Sequence, residues 1–215
     1  ITEPEAPFLF RSFDSQGQQI PVITRELWTS QQRQAHSLHE ISYRACFKPQ
    51  LPRFFISKLT SEDDVIYDPF AGRGTTVLEA ALLDRRIISN DINPLSAILL
   101  APRLRPPLPT SVSDRLKCIP KSSKHPSDVD LTMFFEKNTL SEILAIREYM
   151  QERIKNKQLD YIDEWIRMVA TNRLTGHSSG FFSVYTLRPI KQPLRKVKLR
   201  LMKNIIKFQH IKIRT

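Results

Sequence analysis

Hydrophobic and polar positions divide the chain into blocks of different period. Residues 1–40 are polar and hold no sustained period, and Pro4, Pro7 and Pro21 break any early helix. Thr29 to Ser42 is a helical candidate there, capped at Thr29 or Ser30. From residue 65 the pattern sharpens. Val65-Ile66-Tyr67 reads as a short buried strand, Thr75 to Leu83 as an apolar helix, and Ile87-Ile88 as a second short strand. Pro102, Pro106, Pro107, Pro109 and Pro120 mark residues 101–127 as a connector. Two helices are predicted beyond it. Thr139-Leu140-Ser141-Glu142 has the form of a capping box, followed by a stripe of Leu140, Ile143, Leu144, Ile146 and Met150. Tyr161, Ile162, Trp165, Ile166 and Val169 recur at helical spacing. Stripes of this kind are core, so the pair reads as a helical insertion packed on the sheet.

The junctions between the central elements carry the chemistry. Asp68-Pro69-Phe70-Ala71-Gly72-Arg73-Gly74-Thr75-Thr76 joins the first strand to the helix, and the second strand runs into Asn90-Asp91-Ile92-Asn93-Pro94. Strand, glycine turn, helix and strand make one βαβ half of a doubly wound sheet, whose crevice lies at the carboxyl ends of the strands. Gly72 and Gly74 let the backbone turn tightly and bring its N–H groups near a ligand. Asp91 falls 17 residues beyond Gly74, near the spacing at which such folds put a carboxylate on a ribose hydroxyl. No third glycine is spaced to hold a pyrophosphate, and Asp68 would repel one. A ligand with a ribose, an adenine and an amino-acid end suits this turn better than a dinucleotide. S-adenosylmethionine has those parts.

Asp-Pro-Phe-Ala-Gly-x-Gly-Thr-Thr closely resembles the cofactor motif of DNA methyltransferases that modify exocyclic amines, cytosine-N4 or adenine-N6. Phe47-Lys48-Pro49-Gln50-Leu51-Pro52-Arg53-Phe54-Phe55-Ile56 looks like the helix segment that precedes this motif in the family and packs beside the cofactor. The resemblance covers roughly residues 40–105. It implies a Rossmann-like α/β methyltransferase fold, incomplete here, with S-adenosylmethionine as cofactor, DNA as partner and a cognate restriction endonuclease as a further one. The implied cofactor residues are Asp68, Phe70, Ala71, Gly72, Gly74, Thr75, Thr76, Asp91, Ile92 and Asn93. Gly72 and Gly74 would face the methionine portion, with Asp68 near its ammonium. Asp91 would accept from the ribose, Phe70 and Ile92 would flank the adenine, and Thr75 and Thr76 would cap the helix.

Members of this family flip the base into a pocket built by Asp, Asn or Ser followed by Pro-Pro and an aromatic residue. The chain contains no such motif. Its Pro106-Pro107 lies between Arg105 and Leu108, so no catalytic residue is assigned and this chain alone is expected to be inactive. Two rivals stay open. Gly74-Thr75 with Glu79-Ala80 also looks like the cofactor loop of guanine-amine tRNA methyltransferases. A non-catalytic nucleic-acid-binding remnant would fit the same residues.

Composition narrows the setting. No apolar run approaches the ~20 residues that span a bilayer, and the amino terminus lacks a secretory pattern, so a cytoplasmic protein is expected. It also lacks an initiating Met, as a processed or partial chain would. Cys46 and Cys118 are too few for a disulfide framework and read as half-buried small apolar residues. No metal site is expected. The net charge of +11 points to nucleic acid only until it is located. Ten of the 33 basic residues, and none of the 22 acids, fall in residues 188–215, which leaves 23 against 22, or +1, for the first 187.

The stretch from Asn172 to Tyr185 admits two readings. Arg173, His177, Phe181, Phe182 and Tyr185 could form a substrate loop, the arginine on phosphate and the aromatics stacked on a base. A turn entering a buried strand over Phe181 to Tyr185 is the plainer reading. The tail divides in the same way. Its lack of Gly and acid suits out-of-frame translation of an AT-rich gene, and Tyr185-Thr186-Leu187 looks like a segment that relatives continue with Pro-Pro-Asn-Gln. Alternatively Leu194, Val197, Leu201, Ile205 and Phe208 line one face of a basic, DNA-binding helix. The expected organisation is therefore a lead-in and cofactor half over 1–110, a helical insertion with the candidate loop over 111–187, and a basic tail over 188–215.

Overall fold

The computed structural model describes residues 9–24, 35–41, 43, 46–123, 129–132 and 134–174. Element order is β1 (Leu9–Ser15), β2 (Gln18–Thr24), α1 (Gln50–Leu59), β3 (Val65–Asp68), α2 (Thr75–Leu82), β4 (Arg86–Ser89), α3 (Pro94–Leu104), α4 (Pro109–Cys118), α5 (Lys137–Lys155) and α6 (Tyr161–Arg173). A single 3-10 turn, Ser37–His39, precedes α1. The architecture is mixed α/β with two small sheets. His177, Phe181, Phe182, Tyr185 and the whole basic tail lie outside the described residues.

β3 and β4 pair in parallel with Val65 opposite Arg86, Tyr67 opposite Ile88 and Asp68 opposite Ser89. With α2 between them they form the βαβ unit that the sequence predicts. Among the described residues the sheet stops at two strands, so the doubly wound sheet is not seen. The strands also differ from the buried ones expected. α2 covers the face bearing Ile66 and Ile87, while Tyr67 on the other face is 59% exposed, next to exposed Val65 and Ile88. Parallel strands are ordinarily covered on both faces.

β1 and β2 form an antiparallel hairpin in a region that looked patternless. Gln16 and Gly17, at φ 55° and 79°, make its two-residue turn, where positive φ at both positions matches the twist of the strands. Asp14 Oδ1 accepts from the Gly17 N–H at 3.1 Å. Phe10 and Phe13 sit three apart, on opposite faces, which hides the strand from a search for alternation.

Helices build the core. Trp165, Ile166, Met168 and Val169 of α6 pack with Leu99 and Leu100 of α3, Val77 and Leu78 of α2, Val112 of α4 and Met150 of α5. The α5–α6 pair forms as predicted, but α6 lies on α3 and α4, so the packing is helix on helix. The expected cap at Thr139 is displaced. Glu136 is the N-cap of α5 and accepts from the Thr139 N–H. α6 carries a full capping box instead, between Asp160 and Asp163.

The predicted connector over 101–127 is largely helical. Proline is favoured at the first helical position, where its missing N–H has no partner to lose, and Pro94 and Pro109 open α3 and α4. Pro102 falls in the last turn of α3. The helix expected over Thr29 to Ser42 reduces, within its described part, to the 3-10 turn. Cys46 is partly buried as expected, whereas Cys118, on the last turn of α4, is exposed.

Candidate cofactor site

The site assembles at the carboxyl ends of β3 and β4. Asn90 N–H donates to Asp68 C=O at 2.9 Å, and Ala71 N–H to Asn90 C=O at 3.0 Å, lacing the two strand exits together. Asp91 completes the stitch. Its Oδ2 accepts from Gly72 N–H at 2.6 Å and its Oδ1 from Asn93 N–H at 2.8 Å. Those two N–H groups, Asn93 first, hold the Asp91 carboxyl below its ordinary value of 3.8. A carboxylate has about four acceptor positions, so capacity for two more donors remains. Asp68 Oδ1 accepts from Phe70 N–H at 3.1 Å.

The two glycines do different work. Gly72, at φ 53°, is the bend itself, and a Cβ there would stand 3.6 Å from the ring of Tyr43. Gly74, at φ 81°, is the buried N-cap of α2, and a Cβ there would lie 2.3 Å from Leu100 Cδ1. Its missing side chain lets α3 approach the start of α2. Thr75 and Thr76 do not cap that helix, because they already lie inside it and no side chain caps Gly74. Thr75 is buried and accepts from Arg73 Nε at 3.1 Å. Asn93 caps α3, its side chain accepting from Leu95 N–H at 3.0 Å. Phe70 and Ile92, expected beside an adenine, are 85% and 100% exposed. Two large apolar side chains thus stand uncovered at the mouth of the crevice. Arg173, in the last turn of α6, is partly buried.

Sequence reasoning missed a polar shell behind the turn. Glu79, buried in α2, accepts from His39 Nε2 at 2.7 Å and from Arg53 Nη1 at 3.1 Å. Arg73 Nη1 donates to the carbonyls of His39 and Ile41 at 3.4 and 3.0 Å. Arg103, fully buried in α3, donates to the carbonyls of Leu99, Leu38 and Arg73. Burial and then the Arg73 charge push its guanidinium down to about 9, which leaves it a cation at neutral pH. No local pattern marks these residues, since each partner lies 26 or more residues away apart from Leu99 and Thr75.

Residues 13–97, which run from the end of β1 through the glycine turn to the start of α3, match the family model for DNA methylase of the N6/N4 class. Over that stretch the chain is similar to the N6/N4 DNA methylases. It is 30% identical over 73 residues to the type II methyltransferase M.MjaII of Methanocaldococcus jannaschii, a match covering 34% of the chain and 13% of that protein. It is 34% identical over 88 residues to M.BsoBI of Geobacillus stearothermophilus, covering 40% and 17%. The match to M.MvaI of Kocuria varians is longer, 171 residues at 23%, and covers 69% of the chain and 37% of that protein. The chain thus spans between about an eighth and somewhat over a third of these relatives. No solved structure matches it.

Proposed function

We propose that this chain is the S-adenosylmethionine-binding part of an enzyme that methylates exocyclic amino groups of DNA bases. The observation that carries the reading is the Asp91–Gly72 hydrogen bond. It places a strand-end carboxylate, with acceptor capacity to spare, directly at a glycine turn. Exposed Phe70 and Ile92 beside it offer the apolar surfaces that an adenine ring needs. The residues therefore fit the cofactor chemically as well as by motif.

When bound, S-adenosylmethionine supplies an electrophilic methyl group. The chain's own residues bind and orient it. Asp91 receives the ribose hydroxyls, Phe70 and Ile92 hold the adenine, and the Gly72 turn with Asp68 meets the methionine end. The sequence holds no Asp/Asn/Ser-Pro-Pro-aromatic motif to accept the amine of a flipped base. The reading thus stops at cofactor binding for this chain and assigns the base pocket elsewhere. A DNA substrate and this cofactor fit a cytoplasmic enzyme. The names of the relatives make a restriction endonuclease the natural partner activity to look for.

Two measurements test the proposal together. Calorimetric titration with S-adenosylmethionine should show binding, and a folded chain that binds none would refute the reading. Tritium transfer from labelled cofactor to mixed duplex DNA should stay at background for this chain alone. Incorporation abolished by Gly72→Asp would show that a base pocket exists among its residues after all.

A further inference from the structure

The segment around Leu38 lies against the glycine turn, fastened there by one arginine from α3 and one from the turn itself. Arg103 is 0% exposed and has no carboxylate partner among the described residues. Its guanidinium donates only to main-chain carbonyls: Leu99 in its own helix, Leu38 in the crossing segment, and Arg73 between the two glycines of the turn. Arg73 runs the other way. Its side chain leaves the turn and donates to the carbonyls of His39 and Ile41.

A buried cation satisfied by neutral carbonyls is a costly way to fill space, and a packed apolar residue of similar volume would fill it as well or better. What the guanidinium adds is direction. Its rigid planar fork fixes the orientation of several carbonyls at once, which neither an apolar residue nor a lysine does. One of those carbonyls is in the turn, and the chain clamped opposite it leads in two residues from Ile41 to Tyr43. The Tyr43 ring then stands 3.6 Å from where a Cβ would be at Gly72.

We propose that Arg73 and Arg103 are positioning residues for the cofactor, holding the Gly72 turn in its binding shape and setting Tyr43 beside it as a wall of the S-adenosylmethionine site. The inference rests on the cofactor reading above and adds to it the residues that shape the pocket from behind.

The test titrates S-adenosylhomocysteine into the full 215-residue chain by calorimetry, with a thermal melt for each variant. Arg73→Gln, Arg103→Lys and Tyr43→Ala are each expected to weaken binding by about tenfold or more, as loss of a charge-assisted or wall contact does. All are measured at a temperature at which the melts show folded protein. Leu144→Ala, buried in α5 and remote from the turn, serves as a destabilised control and should bind as wild type. Because the arginines act through the wall, Tyr43→Ala made on top of Arg73→Gln should add little to the loss. Folded Arg73→Gln with wild-type affinity would overturn the proposal, as would full additivity with Tyr43→Ala. Arg73 is only partly buried, so its variant decides the matter even if Arg103→Lys does not fold. A folded wild type that fails to bind would overturn the cofactor reading and this inference together, whereas binding indifferent to the arginines would overturn this inference alone.

Discussion

At the scale of single residues, two side-chain choices at the turn control different things. Asp91 ties the exit of β4 to the bend at Gly72 and keeps acceptor capacity for two more donors. Asp91→Ala should therefore weaken S-adenosylmethionine binding by about tenfold or more, with equal calorimetric affinity removing it from the site. The same hydrogen bonds fix the pH response. A carboxyl whose folded value lies below 3.8 contributes fully above 3.8 and loses its contribution as pH falls through the lower value. Binding should thus show no Asp91-dependent change between pH 5 and 8, checked by titrating wild type across that range. Gly74 controls packing. Gly74→Ala would drive a methyl into Leu100 at a positive φ and should cost roughly 2 kcal/mol or more in urea unfolding. Combined with Leu100→Ala, the two losses should sum to less than their separate values, since the smaller side chain removes the collision.

Among elements, α4, α5 and α6 are bound by charge as well as by apolar contact. Asp163, 0% exposed at the start of α6, pairs with Arg115 of α4 and Arg153 of α5. Arg115 also meets Asp160 Oδ2 at 2.7 Å. Removing one member of a buried pair leaves charge without compensation, so Asp163→Asn should lower unfolding free energy by about 3 kcal/mol or more. Chemical denaturation checks it, and a loss under 1 kcal/mol would mean that water reaches the pair. Asp160 supplies the pH dependence of this joint. Burial raises its carboxyl, but the Arg115 hydrogen bonds and two backbone N–H groups outweigh that and hold it below 3.8. The joint should be intact above that pH and loosen as pH falls through the lower value, visible as an acid transition that Asp160→Asn flattens.

For the whole molecule, the uncovered sheet is the dominant fact. β3 and β4 present Val65, Tyr67 and Ile88 to solvent on one face, and their crevice opens at exposed Phe70 and Ile92. If that face meets water in solution, Tyr67→Lys should change stability by no more than about 0.5 kcal/mol. A loss of several times that, measured by denaturant unfolding, would show that chain beyond the described residues covers the face. No described helix is long and apolar enough to cross a bilayer.

Local sequence determined the elements whose signal is short in range. Asp68 to Thr76, between an apolar strand and an apolar helix, is a strand–turn–helix because glycine takes the positive φ values of 53° and 81° found there at least cost. The α5 and α6 stripes were legible for the same reason, since burial repeats along one helix face. Long-range partners decided the rest. Nothing near Arg103 reveals that it reaches Leu38 and Arg73, nor near His39 that it meets Glu79 forty residues on. The hairpin escaped notice because its apolar residues face both sides, and α4 because proline that breaks a helix interior also opens a helix. Periodicity reports which face of an element is apolar. Only the packed fold decides what that face, or a lone charge upon it, will touch.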